Sequence, residues 1–119
     1  MANELTVSAS LSFEKNGISA EFKELARSFD VAGDQYIRNI QSVSIAEVTL
    51  DKGGITTIGW IAIKNLDATN YLELTGATSG DVLAKLPAGG FAVFPVASAN
   101  IFAAANTAAC LVDYLMIEL

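Results

Sequence analysis

Histidine does not occur among the 119 residues. The commonest general base and the commonest transition-metal ligand are therefore missing together, and much acid–base and metal-assisted chemistry is disfavoured with them. Cysteine occurs once, at Cys110, so no internal disulfide can form and stability has to come from packing, in keeping with synthesis in a reducing compartment. Positive charge is scarce. Seven bases stand against thirteen acids for a net charge of −6. The bases (Lys15, Lys23, Arg27, Arg38, Lys52, Lys64, Lys85) are scattered along the chain, which disfavours nucleic acid as a partner. Long apolar runs are lacking too. The charge-free stretches Ile55–Ile63 and Phe91–Leu111 are interrupted by Gly59, Pro95, Asn100 and Asn106, so neither reads as a membrane helix. Met1–Thr6 has neither the basic start nor the apolar centre of a secretory signal, and the chain is expected to fold in a cytosol.

What is present is apolar. Hydrophobic residues make up 52% of the chain and charged ones 17%, with a mean hydropathy of +0.43. That composition excludes disorder. The length supports one core, hence a single domain over residues 1–119 that buries roughly two-thirds of its unfolded surface. The apolar excess suggests that copies of the chain cover part of one another.

Alternation with period two dominates. Leu5, Val7, Ala9, Leu11 and Phe13 alternate with Glu4, Thr6, Ser8, Ser10, Ser12 and Glu14, which predicts a strand with one wet face. Asn16-Gly17 supplies the positive-φ pair of a type I′ turn, and Ile18, Ala20 and Phe22 resume the pattern, so an antiparallel hairpin is expected. Glu24–Phe29 fits a turn of helix and a bent or bulged strand alike, with strand favoured. A β-branched run from Gln35 to Leu50 closes at the loop Asp51-Lys52-Gly53-Gly54. Ile55–Lys64, with Trp60 and Ala62 on one face and Ile61 and Ile63 on the other, reads as a central strand covered on both sides. Further strands are predicted over Tyr71–Leu74, Val82–Leu86, Phe91–Val96, Ile101–Ala105 and Ala109–Leu119. Pro95 places its strand at an edge or an end. Eight to ten short strands without a helix predict an all-β antiparallel β-sandwich of jelly-roll type.

Chemistry-bearing constellations are weak. Cys110 lies in an apolar run and reads as a small buried hydrophobe rather than a nucleophile. No pair of acids is singled out by spacing for glycoside hydrolysis. Asp30 and Asp34 around Gly33, and Asp67 with Asn65 and Asn70, offer oxygen ligands but not the spacing of a calcium loop, and turn stabilisation accounts for them. The Gly-rich segments lack a phosphate cradle's Gly-Lys-Ser/Thr. No catalytic residue, cofactor or metal is expected. Trp60 and Tyr71 are the candidates for a sugar-stacking platform, against the plainer reading of Trp60 as core.

The final strand says more. Leu111, Leu115, Ile117 and Leu119 share a side with Asp113, while Cys110, Val112, Tyr114 and Met116 occupy the other, so both faces demand cover. Asp113 fits three roles: facing solvent, capping a subunit contact or pairing with a nearby base. A domain of this size has one inter-sheet core, so the second face is expected to meet another chain. Leu111, Asp113, Leu115 and Ile117, together with Glu4 near the N-terminus, are the candidate oligomer or lattice contacts.

Three segments carry a resemblance: Trp60-Ile61-Ala62-Ile63-Lys64-Asn65-Leu66-Asp67 running into Thr69-Asn70-Tyr71-Leu72-Glu73-Leu74 and Gly76; Leu86-Pro87-Ala88-Gly89-Gly90-Phe91-Ala92-Val93-Phe94-Pro95; and Ala103–Ala108 with Val112-Asp113-Tyr114. Across these, about half of the chain resembles small virion proteins of tailed bacteriophages, β-sandwich proteins that decorate or cement a capsid or sit on the particle as accessory spikes. The resemblance implies a homotrimer at local three-fold positions of an icosahedral shell, locking the major capsid protein in place. It also implies a location on the capsid surface after synthesis in the host bacterial cytoplasm, with no catalytic residue, nucleic acid or membrane involved. Pattern alone offers as lattice-facing parts the arm Met1–Glu4 or the loops Asp51–Gly54 and Thr75–Gly80. The rival reading is a carbohydrate- or receptor-binding head on a phage tail or spike, with Trp60 or Tyr71 as its platform.

Overall fold

The computed structural model describes residues 4–77 and 80–119. The chain divides into two compact units, residues 1–32 and 33–119.

The first unit is a two-stranded antiparallel sheet of β1 (Leu5–Lys15) and β2 (Ile18–Phe29). Asn16 and Gly17 adopt φ of 51° and 78°, as a type I′ turn demands, and Lys15 pairs with Ile18 across it. The ambiguous segment Glu24–Phe29 is strand, interrupted by a bulge in which Leu25 and Ala26 stand opposite Ser8. Ala26 takes φ of 55°, and its N–H donates to Ser8 Oγ at 2.8 Å, so the ladder bond lost at the bulge is replaced by a side chain. Glu4 Oε1 accepts from Val31 N–H at 3.0 Å at the open end. One difference from expectation matters. The side carrying Leu11 and Phe22 is not dry: these residues are 72% and 64% exposed, because a two-stranded sheet has no second layer of its own.

The second unit is the sandwich. Its strands are β3 (Tyr36–Val43), β4 (Val48–Thr49), β5 (Ile58–Asn65), β6 (Leu72–Thr75), β7 (Val82–Leu86), β8 (Phe91–Ser98), β9 (Phe102–Ala105) and β10 (Cys110–Glu118). β3 pairs with β10, β4 with β9, β5 with β8 and β6 with β7, all antiparallel, as though one long hairpin had been folded over on itself. Additional pairs β5–β10 and β6–β9 close two four-stranded sheets, β3-β10-β5-β8 and β4-β9-β6-β7. This is the strand order of an eight-stranded jelly roll. β5 is central, and Pro95 lies on the edge strand β8, where a missing N–H interrupts no second ladder.

The run read as one strand from Gln35 to Leu50 is two. The chain leaves β3 at Ser44, turns with Ser44 Oγ donating to Ala46 O at 2.8 Å, and enters the opposite sheet as β4. Period-two alternation records which side of a strand is apolar but not which sheet the strand joins, so the corner passes unnoticed in sequence and Ile45 there is exposed.

The inner faces supply one core, built around Ile58, Ile61 and Ile63 of β5, Val112, Tyr114 and Met116 of β10, and Leu72, Leu74, Ala103 and Leu86 from the opposing sheet. The polar atoms of Tyr114 and Asn65, both almost wholly buried within it, are hydrogen-bonded. Tyr114 Oη donates to Asp51 O at 2.6 Å, with Gln41 Oε1 3.0 Å away, and accepts from Asn39 Nδ2. Asn65 Nδ2 donates to the carbonyls of Asn70, Leu86 and Pro87, and its Oδ1 accepts from Asp67 N–H. These two residues anchor the connections between strands, where the sheets cannot satisfy the backbone.

Candidate functional site

The inner side of β3-β10-β5-β8 is spent on the core; its outer side has no covering layer within the unit. Register places the outward residues in rows. Tyr36, Ile117, Trp60 and Pro95 form one row, Arg38, Leu115, Ala62 and Val93 the next, and Ile40, Asp113, Lys64 and Phe91 the third. Leu111 opposite Ser42 extends the face towards the end of β10. Tyr36, Ile40, Phe91 and Leu111 are each more than half exposed. Folded monomers leave single hydrophobics at the surface routinely, whereas here they lie in adjacent rows across four strands.

One bidentate ion pair sits within this apolar field. Arg38 Nε and Nη2 donate to Asp113 Oδ1 and Oδ2 at 2.8 and 2.7 Å. The hydrogen bonds and charge of Arg38, helped by Lys64, hold the Asp113 carboxyl below the ordinary carboxylate range, and the same bonds raise Arg38. Of the three roles open to Asp113, the one seen in the chain is pairing with a base. An exposed pair of this kind adds little net stability, so its effect is to offset the charge of Arg38 on the face.

The other candidates are dispersed. Trp60 is half-buried on the outer face, neither core nor free platform. Tyr71 precedes β6 in the opposite sheet, beyond the Asn65 end of β5, so the two aromatics do not build a shared platform. Lys85 Nζ lies 4.0 Å from the centre of the Tyr71 ring and covers one of its faces. Of the arm Met1–Glu4, Met1–Asn3 lie outside the described residues, and Glu4 is bonded to Val31. In the loop Thr75–Gly80, Thr78 and Ser79 lie outside them as well, while Thr75 Oγ1 donates to Glu47 Oε2.

The loop Asp51–Gly54 is tied down from several sides. Asp51 Oδ1 accepts from Gly53 N–H, Asp51 N–H donates to Gln41 Oε1, and the Lys52 ammonium donates to the carbonyls of Ala99 and Thr56. Asp67 is engaged in its own turn: Oδ2 accepts from Asn70 and Thr69 N–H at 2.6 and 2.9 Å, and these bonds lower its pKa. Cys110 points into the core, and burial pushes its thiol up, away from the reactive thiolate. Among the described residues no group of three or more acidic or cysteine side chains is arranged to hold a metal ion. No described helix is long and apolar enough to cross a membrane.

Leu111, Asp113, Leu115 and Ile117, singled out from one strand, thus do fall on one surface. Tyr36, Ile40, Phe91 and Val93 complete it and were not singled out, because their own strands show only ordinary alternation. What unites them is strand order, and no local pattern encodes that. No protein family, curated protein or solved structure matches the chain.

Proposed function

We propose that the chain is a non-enzymatic assembly protein, a virion structural protein that decorates and cements a bacteriophage capsid as a homotrimer. The observation that supports it is the uncovered apolar face of β3-β10-β5-β8. In this reading the face, centred on Leu115, Ala62 and Trp60, packs against neighbouring copies. The assembled trimer binds the major capsid protein. Cement acts by mass action: a protein that binds the intact lattice and not its disrupted form stabilises the lattice in proportion to the logarithm of its occupancy. Three copies joined in one trimer bind together with avidity.

Solution mass and particle location test this. A trimer at micromolar concentration, found on purified phage heads in fixed proportion to the major capsid protein, is the expected result. A monomer overturns the trimer. Presence on tails only, with saturable glycan binding lost in Trp60→Ala, replaces the cement reading with a receptor-binding head.

A further inference from the structure

The hairpin carries a second surface that the sandwich does not explain. Its two sides differ sharply. Thr6, Ser10, Ser12 and Glu14 pair with Ser28, Lys23, Glu21 and Ser19 on one side, which is polar except at the bulge, where Leu25 and Ala26 stand opposite Ser8. On the other, Leu5 pairs with Phe29, Leu11 with Phe22 and Phe13 with Ala20, and Ile18 stands beside Lys15 at the turn. Leu11, Phe13, Ile18 and Phe22 are all more than half exposed. An isolated two-stranded hairpin is marginal in water, and this one gains nothing from a core of its own. Its length and turn chemistry nevertheless specify it fully, which is costly to maintain unless something covers the apolar side.

The charges on that side point to the occupant. Away from the turn, the apolar side carries one acid and one base, Glu24 opposite Ala9 and Arg27 opposite Val7, on the two sides of the bulge and 3.4 Å apart. Both side chains remain more than half exposed, so each has donors or acceptors left for a second partner. A face with one acid and one base in adjacent rows is complementary to itself: set against a copy, Glu24 of one chain meets Arg27 of the other and the apolar rows meet each other.

We infer that the apolar side of the β1–β2 hairpin is a self-association surface, covered by the same hairpin of a second copy, with Glu24 and Arg27 exchanging partners between chains. The inference rests on the homo-oligomer reading above and assigns it a second contact. It differs from a lattice-binding arm in that the hairpin's partner is the chain itself.

The test uses full-length chains carrying Glu24→Arg or Arg27→Glu, each with a different tag. Alone, each variant presents like charges to its copies, and its self-association is expected to weaken by about tenfold or more. Mixed in equal amounts, the two restore opposite charges between chains, and mixed-tag oligomers should form with about the wild-type affinity. No recovery on mixing, or wild-type self-association by both single variants, overturns the inference. So does a pair of variants that stay oligomeric while losing affinity for phage heads, which would assign the hairpin to the lattice. Near-ultraviolet circular dichroism of Trp60 and Tyr114 reports that the sandwich is intact in each. A monomeric wild-type protein removes the homo-oligomer reading and this inference together, whereas an oligomeric wild type with unaffected variants removes only this one.

Discussion

Tyr114 and Asn65 show what polar side chains do in this protein. Each is buried to within 1% exposure, and each satisfies backbone groups that no strand partner reaches. Removing the Tyr114 hydroxyl leaves the Asp51 carbonyl without that donor and Asn39 Nδ2 without its acceptor. Tyr114→Phe should therefore destabilise the sandwich by about 1–3 kcal/mol, read as a lower denaturant midpoint at unchanged slope. The carboxylates of Asp67 and Asp113 make the pH dependence predictable in sign. Both have pKa values depressed in the folded state, Asp67 by backbone N–H donors and Asp113 by Arg38. Their contribution is present above the ordinary carboxylate pKa and is lost as pH falls through the folded value. Stability should thus hold at neutral pH and decline below about pH 4. Asp67→Asn, which can still accept the turn's N–H groups but has no proton to gain, should flatten that acid limb in denaturant titrations repeated across pH.

Two glycines separate conformational from steric demands at the scale of single elements. Gly17 needs a positive φ, but a Cβ there would meet nothing within 4 Å. Gly17→Ala should cost only the left-handed backbone penalty, about 1 kcal/mol, and should appear as faster amide exchange in β1 and β2. Gly59 has no positive φ but sits at the bulge of β5, where a Cβ would lie 2.6 Å from Leu119 Cα and 2.9 Å from its nitrogen. Backbone yields less easily than a side-chain tip, so Gly59→Ala should lower the stability of the sandwich by about 1–3 kcal/mol in equilibrium unfolding. The strands themselves were largely legible beforehand. The Asn16-Gly17 turn, the central placement of β5 and the edge position of Pro95 follow from residue chemistry, since turns and edges are set by local backbone requirements. The corner between β3 and β4 was not legible, because a chain that changes sheet keeps its alternation.

For the whole molecule, the decisive property is that one sandwich has more apolar sheet surface than one core can cover. Leu115 points outward from the middle of the exposed face, so Leu115→Glu should leave thermal unfolding nearly unchanged, within about 0.5 kcal/mol. The same variant should abolish self-association in sedimentation, because it sets a carboxylate that must lose its water at the middle of each contact. A variant that still forms oligomers would place the contact elsewhere. The hairpin variants act on a different surface, and a double variant of Leu115 and Glu24 would show whether the two contacts contribute independently.

Composition and alternation by themselves determined the all-β class, the hairpin with its turn, the burial of Cys110 and the presence of two apolar faces on β10. These are local properties, written in residue type and period. Tertiary structure decided the nested pairing that makes the jelly roll, the corner at Ser44, and the joining of Tyr36, Ile40, Phe91 and Val93 with Leu111, Leu115 and Ile117 on one face. It also divided the chain after Ala32 and left the apolar side of the hairpin bare. The physical reason is the same in each case: a strand's sequence specifies which side is apolar, whereas its neighbour is chosen by contacts between residues far apart in the chain.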